Sequence, residues 1–151
     1  MATLLAVGSL MAGCTTQATK SDHAAADASP VSDSAKKLVE KRAIERWDLL
    51  IAHKAEKAYD FLSPGYRATK KRDDYAAEMN HRPVQWEKVL PYSQTCDKPN
   101  VCVISLQVDS DVKMQGISQN VPVLGFVTET WIKTQGKWYY LPNAKHTTGS
   151  E

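Results

Sequence analysis

From Ser32 to Leu62 the apolar residues recur at helical spacing: Val39, Ile44, Trp47, Leu50, Ile51, Ala55, Ala58, Phe61 and Leu62 share one side of a wheel. Arg42, Glu45, Arg46, His53, Glu56 and Asp60 fall on or beside the other side. That pattern predicts one long amphipathic helix of about eight turns. Ser32, Asp33 and Ser34 can cap its free N–H groups, and Asp33 suits the positive end of its dipole. Pro64 denies a helical backbone to the residue before it, so the helix must end by Ser63. Ser63-Pro64 then reads as N-cap and first-turn proline of a short helix through Tyr66 and Arg67. A third helix spans Lys71 to Met79, with Asp73 and Asp74 in its first turn and Tyr75, Ala76 and Met79 as its apolar stripe.

Beyond Asn80 the period changes to two. Trp86 to Cys96 alternates imperfectly, and Pro91 inside it predicts an edge strand or a bulge. Val101 to Val108 alternates cleanly, with Cys102, Ile104, Leu106 and Val108 on one face and Ser105 and Gln107 on the other. Asp109 to Asn120 is polar and turn-rich and predicts a hairpin tip. Val121 to Lys133 is a long strand, Trp138 to Leu141 a short one, and Gly136 supplies the positive φ of the tight turn between them. No helical stretch separates these strands, so they pair antiparallel. The fold class is α+β: a long N-terminal helix and two short helices packed on a curved four-stranded antiparallel sheet.

A chain of 151 residues with 42% hydrophobic and 24% charged residues holds one domain with tails. Its net charge of +2 is too small to argue for a nucleic-acid partner. The first fourteen residues, MATLLAVGSLMAGC, add an address. The apolar run from Leu4 to Met11 is too short to span a bilayer and leads into small residues, as a signal peptide does. Met11-Ala12-Gly13-Cys14 resembles the lipobox of bacterial lipoproteins, with Met11 where Leu or Val is usual. The resemblance implies cleavage before Cys14, a diacylglycerol on its sulfur, and anchorage in the cell envelope. Thr15 after the cysteine, rather than Asp, implies the outer membrane, facing the periplasm. The expected organisation is a signal peptide over 1–13, the lipidated Cys14 and a polar tether over 14–31, the folded domain over 32–143, and a disordered tail over 144–151.

The order of helix, short helix, helix and four strands is similar to the cone-shaped NTF2-like (cystatin-related, SnoaL-like) fold. The closing stretch Glu129-Thr130-Trp131-Ile132-Lys133-Thr134-Gln135-Gly136-Lys137-Trp138-Tyr139-Tyr140 resembles the last hairpin of many such domains. Members include isomerases, dehydratases, ligand-binding modules and structural domains, so the resemblance implies a fold and leaves the activity open. It also implies an opening under the helix that serves some relatives as a pocket, and dimerisation through the exposed sheet face, where Ser105 and Gln107 fall.

The candidate pocket residues are Trp47, Tyr59, Trp86, Glu129, Trp131 and Tyr140, with Tyr75 beside them; the competing reading makes the aromatics plain core. Glu129 shares a strand face with Val127 and Trp131. Held among apolar groups it would be a raised-pKa acid or base; on a solvated face it would sit near Lys133 or Lys137. His53 and His81 lack a buried carboxylate partner of the kind a general base needs. His23 lacks companion ligands, and no metal or cofactor is expected. Cys96 and Cys102 flank a five-residue turn, and in an exported domain a disulfide is the natural reading, stabilising by ~2 kcal/mol. A zinc pair would need two further ligands, and a redox pair would need tighter spacing. Arg67, Lys70, Lys71 and Arg72 form a basic cluster, read either as a contact for an anionic partner or as a solvated helix start balanced by Asp73 and Asp74.

The resulting expectation is a noncatalytic envelope lipoprotein whose domain binds a small ligand or a protein partner, with a homodimer allowed. The alternative is a small NTF2-like isomerase, dehydratase or hydrolase using Glu129 or His53.

Overall fold

The structure is a computed structural model and describes residues 31–142. The expectations for residues 1–30, including Cys14, and for the tail 144–151 lie outside the described residues. The first helix, α1 (Asp33–Ile51), starts at an N-cap Ser32, whose hydroxyl accepts the Ala35 N–H at 3.3 Å. Its buried residues are Val39, Ala43, Arg46, Trp47 and Leu50. The single long helix expected through Leu62 is interrupted after Ile51. His53 adopts a left-handed backbone (φ 54°), its N–H donates to the Leu50 carbonyl, and the Lys54 N–H donates to that of Leu49. Those two bonds make a Schellman cap, usually built on glycine. An apolar period that runs unbroken past the cap hides it from a helical wheel. The chain resumes as α2 (Ala55–Ala58) and a 3-10 turn (Tyr59–Phe61).

Ser63 caps α3 (Pro64–Thr69) by accepting the Tyr66 N–H at 3.3 Å, with Pro64 in the first turn as expected. Then α4 covers Arg72–Asn80. Four strands follow, β1 (Val84–Lys98), β2 (Val101–Lys113), β3 (Asn120–Thr134) and β4 (Lys137–Leu141), antiparallel in the order β1-β2-β3-β4. The sheet is open, with β1 and β4 at its two edges. Pro91 sits in edge strand β1, and the pairing register shifts between Pro91 and Ser93. Strand β2 runs five residues past the predicted end at Val108, because Ser110, Asp111 and Val112 pair with Val123, Pro122 and Val121. Ladder pairing outweighs their polar composition, and the turn shrinks to 114–119.

Alternation along β2 holds: Cys102, Ile104, Leu106 and Val108 are buried. The helices cover that face, stitched to the sheet at several points. The Arg42 Nε donates to the Trp138 carbonyl at 2.8 Å, and the Ser63 N–H donates to the Tyr140 carbonyl at 2.8 Å beside a Leu62–Tyr140 bridge. The sulfurs of Cys96 and Cys102 stand at disulfide distance, 2.03 Å, across the β1–β2 turn.

Candidate functional site

Two elements bring a charged pair into the core. On α1, the buried residues Val39, Ala43, Arg46, Trp47 and Leu50 recur at the spacing of one helical stripe, and Arg46 occupies its centre. Arg46 is only 4% exposed, which corrects its expected place on the polar side of the helix. On β3, Glu129 faces the same way as Trp131 and is 0% exposed. The solvated reading of Glu129 beside Lys133 or Lys137 is thereby replaced. Its Oε1 accepts an Arg46 Nη2 N–H and, at 2.8 Å, the Trp47 Nε1–H; its Oε2 accepts the Trp131 Nε1–H at 3.0 Å. A buried charge survives when it is paired and hydrogen-bonded, and three donors on one carboxylate meet that condition. Burial works against the Arg46 charge, and the facing Glu129 carboxylate outweighs it, holding the guanidinium above its ordinary value. The same guanidinium lies over the Tyr140 ring, 4.2 Å from its centroid, and 5.3 Å from that of Trp47.

Above this pair opens a cleft of about 300 Å³. Of the expected pocket residues, Trp47, Trp86 and Tyr140 line it, with Trp47 and Trp86 edge to face at 5.3 Å. Tyr59, Glu129 and Trp131 do not line it. Tyr59 instead donates its hydroxyl to the carbonyls of Arg67 and Lys70, which ties α3 to the 3-10 turn. Tyr75, only 2% exposed, and Tyr66 complete the phenolic side of the cleft. Burial pushes the Tyr75 and Tyr140 phenols above their ordinary values, so both stay protonated hydroxyls at neutral pH. The Tyr75 hydroxyl and the Arg46 Nε are buried without a hydrogen-bond partner.

At the cleft mouth Glu78 joins Lys70 at 2.9 Å and Arg82 at 3.2 Å. Of the basic cluster, Lys70 is thus paired with Glu78, and Arg72 and Arg67 lie 2.6 and 3.8 Å from Asp60. The cluster's direct ion-pair partners are Asp60 and Glu78, and Asp73 and Asp74 add a weaker charge effect on Arg72 and Lys70. His53 and His81 are exposed, and the His81 Nδ1 lies 2.7 Å from the Ala77 carbonyl. Among the described residues no three His, Cys, Asp or Glu side chains gather closely enough to hold a metal ion. None of the described helices is long and apolar enough to cross a membrane.

Sequence reasoning missed Arg46, Tyr66, Glu78, Met79 and Arg82 as parts of this site. For Arg46 a signal was present: it falls three residues after Ala43 and four before Leu50, inside the apolar stripe.

Fold and site together define the class: an α+β domain whose helices cover one face of an open antiparallel sheet, with an ion pair sealed beneath an aromatic cleft. No protein-family model matches the chain, and no curated protein is significantly similar to it. Among solved structures it is similar to a SEC-C motif containing protein from Rhodopseudomonas palustris. That pair has 12% identity and a TM-score of 0.51, with 66% of this chain and 72% of the other covered. It is also similar to a CamKII hub homology domain from Chlamydamonas reinhardtii, with 19% identity, a TM-score of 0.48, and 71% and 93% covered. The first of these likenesses supports the fold alone.

Proposed function

We propose that the chain is a noncatalytic, lipid-anchored envelope protein whose NTF2-like cone binds a small molecule in the cleft beneath α1 and α4. The observation that carries the noncatalytic part is that Glu129 is fully buried and engaged through both oxygens. Both of its oxygens accept N–H bonds from fixed, buried donors. A general base needs an oxygen within reach of a substrate proton, and Glu129 is buried, hydrogen-bonded and does not line the cleft. The same burial argues against the isomerase, dehydratase or hydrolase alternative, and His53 is exposed to solvent. The cleft itself supports binding: a concave, aromatic-walled space with a few convergent polar groups is what small-ligand sites look like. The proposed anchor is Cys14, acylated after removal of residues 1–13, with 14–31 as tether and the outer membrane as address.

A second reading, docking of a protein partner or a second copy, is favoured by the face of the sheet that the helices leave bare. There Leu90, Gln107 and Phe126 share one row, Lys88, Asp109 and Leu124 the next, and the Tyr92 and Phe126 rings meet at 4.9 Å.

Two measurements test the proposal. Intact mass of the mature chain should show acylated Cys14 at its N-terminus; an unmodified Met1 start would remove the address. A fragment screen by thermal shift should find binders whose effect disappears in Met79→Trp, which fills the cleft. Turnover of any binder that is lost in Glu129→Gln would replace binding by catalysis.

A further inference from the structure

Every described cationic group in or under the cleft has an anionic neighbour: Arg46 faces Glu129, and Arg82 faces Glu78. The floor is therefore electrically balanced. A guest carboxylate or phosphate would find the Arg46 charge already engaged and the Glu129 charge close behind it, a like-charge contact in a poorly solvated place. Yet the floor is not satisfied as a hydrogen-bonding surface. The Tyr75 hydroxyl and the Arg46 Nε–H both lack partners, and they stand close enough that the Arg46 charge acts on the Tyr75 phenol. A buried donor left unpaired is a cost that an incoming acceptor relieves. The walls are flat and aromatic at Trp86, Tyr66 and Tyr140, and the volume of about 300 Å³ suits a guest of one or two rings.

Resting on the binding reading above, we infer that the cleft selects an uncharged, flat molecule bearing a single carbonyl-type oxygen, which accepts from the Tyr75 hydroxyl and the Arg46 Nε–H. The combination sets the class. Two unpartnered donors call for an acceptor, balanced charges disfavour an anion, and aromatic walls favour a ring. Tyr75 supplies the discrimination, because its hydroxyl stands beside the Arg46 guanidinium without a hydrogen bond of ordinary geometry and can turn to a guest. The same fact says that its removal costs the fold little.

Three probes of one size separate these terms: ethylbenzene, acetophenone and benzoate, titrated into the full chain carrying Cys14→Ala so that no acyl chain competes for them. Binding is read from the indole N–H signals of Trp47 and Trp86. Acetophenone should bind about tenfold more tightly than ethylbenzene, since it satisfies donors that ethylbenzene leaves orphaned, and more tightly than benzoate. Tyr75→Phe should reduce acetophenone to the level of ethylbenzene, leave ethylbenzene unchanged, and leave the thermal midpoint unchanged or raised. Benzoate binding tightest, or an acetophenone preference that survives Tyr75→Phe, overturns the inferred class while leaving a binding cleft in place. Failure of all three probes to bind overturns the class and the binding reading together.

Discussion

Between Val121 and Phe126, β3 pairs with β2 alone and carries large apolar side chains in water, Leu124 at 58% and Phe126 at 55% exposed. From Thr130 to Ile132 the same strand lies between β2 and β4, and the helical layer is stitched to β4 at Tyr140. At the boundary a carboxylate, Glu129, is fully buried. Residue polarity alone would assign these positions the other way round. Cover decides instead: α1 and the Leu62–Ser63 segment close over one end of the sheet, and there the ion pair and two indoles make a polar core with its own partners. Leu124 and Phe126 stay in water because they lie on the back of the sheet, which nothing in the described fold covers, whereas Glu129 and Trp131 lie on the face the helices close over.

The sharpest way to break this contrast is to truncate one side chain in each half. Glu129→Ala strands the Arg46 guanidinium and two indole N–H groups in the core, and should cost about 3–5 kcal/mol. Phe126→Ala removes a larger but half-solvated ring and should cost about 1 kcal/mol or less. Denaturant midpoints of the two variants measure the difference, and similar costs would mean that the two halves are not separate environments. Arg46→Met added to Glu129→Ala should cost less than the sum of the single changes, because each single change already breaks the same bond.

Much of this architecture is legible in the chain. The alternation of Cys102 to Val108 names the covered face, Pro91 marks the edge strand, and Ser63-Pro64 marks a helix start. The helix break at His53 is not legible, because a left-handed cap on a non-glycine residue leaves no compositional mark. Nor is the pairing of Glu129: its choice among a free acid, a solvated charge and a buried ion pair depends on Arg46, 83 positions away in the chain. A polar residue inside an apolar stripe signals a buried partner, but only the fold says which one. The cleft is the least legible part, since α1, α3, α4, β1, β3 and β4 all contribute to it.

A smaller effect separates the two ends of the long hairpin. The cysteine pair ties β1 to β2 where Cys102 lies opposite Trp131, at the covered end; the 114–119 turn at the other end has no such tie. Replacing both cysteines by Ala should lower stability by about 2 kcal/mol, the chain-entropy value for so short a loop. Hydrogen exchange should localise the change. Amides of Val101 to Leu106 should lose protection, while those of Val121 to Phe126 keep theirs, and uniform loss along the hairpin would show that the ends unfold as one unit.

The smallest expected effect contrasts the buried ion pair with one on the helical cover. Asp60 accepts from the Arg72 guanidinium at 2.6 Å, and chiefly that hydrogen bond, against a weak effect of burial, holds its carboxyl below the usual carboxylate range. A lowered folded value means that the stabilisation is fully present above the unfolded carboxyl pKa of about 4, and is lost as pH falls through the lower folded value. Asp60 is more than half exposed, so solvent screening leaves about 0.2–1 kcal/mol. Asp60→Asn should therefore be slightly less stable than the parent chain at pH 6, and the two should converge as pH falls below the folded value. Salt supplies the discriminating measurement. At 1 M ionic strength the screening length shrinks to about 3 Å, so the Asp60→Asn deficit should fade while that of Glu129→Ala persists. If both deficits respond to salt alike, the Arg46–Glu129 pair is in contact with solvent and the contrast between cover and core fails.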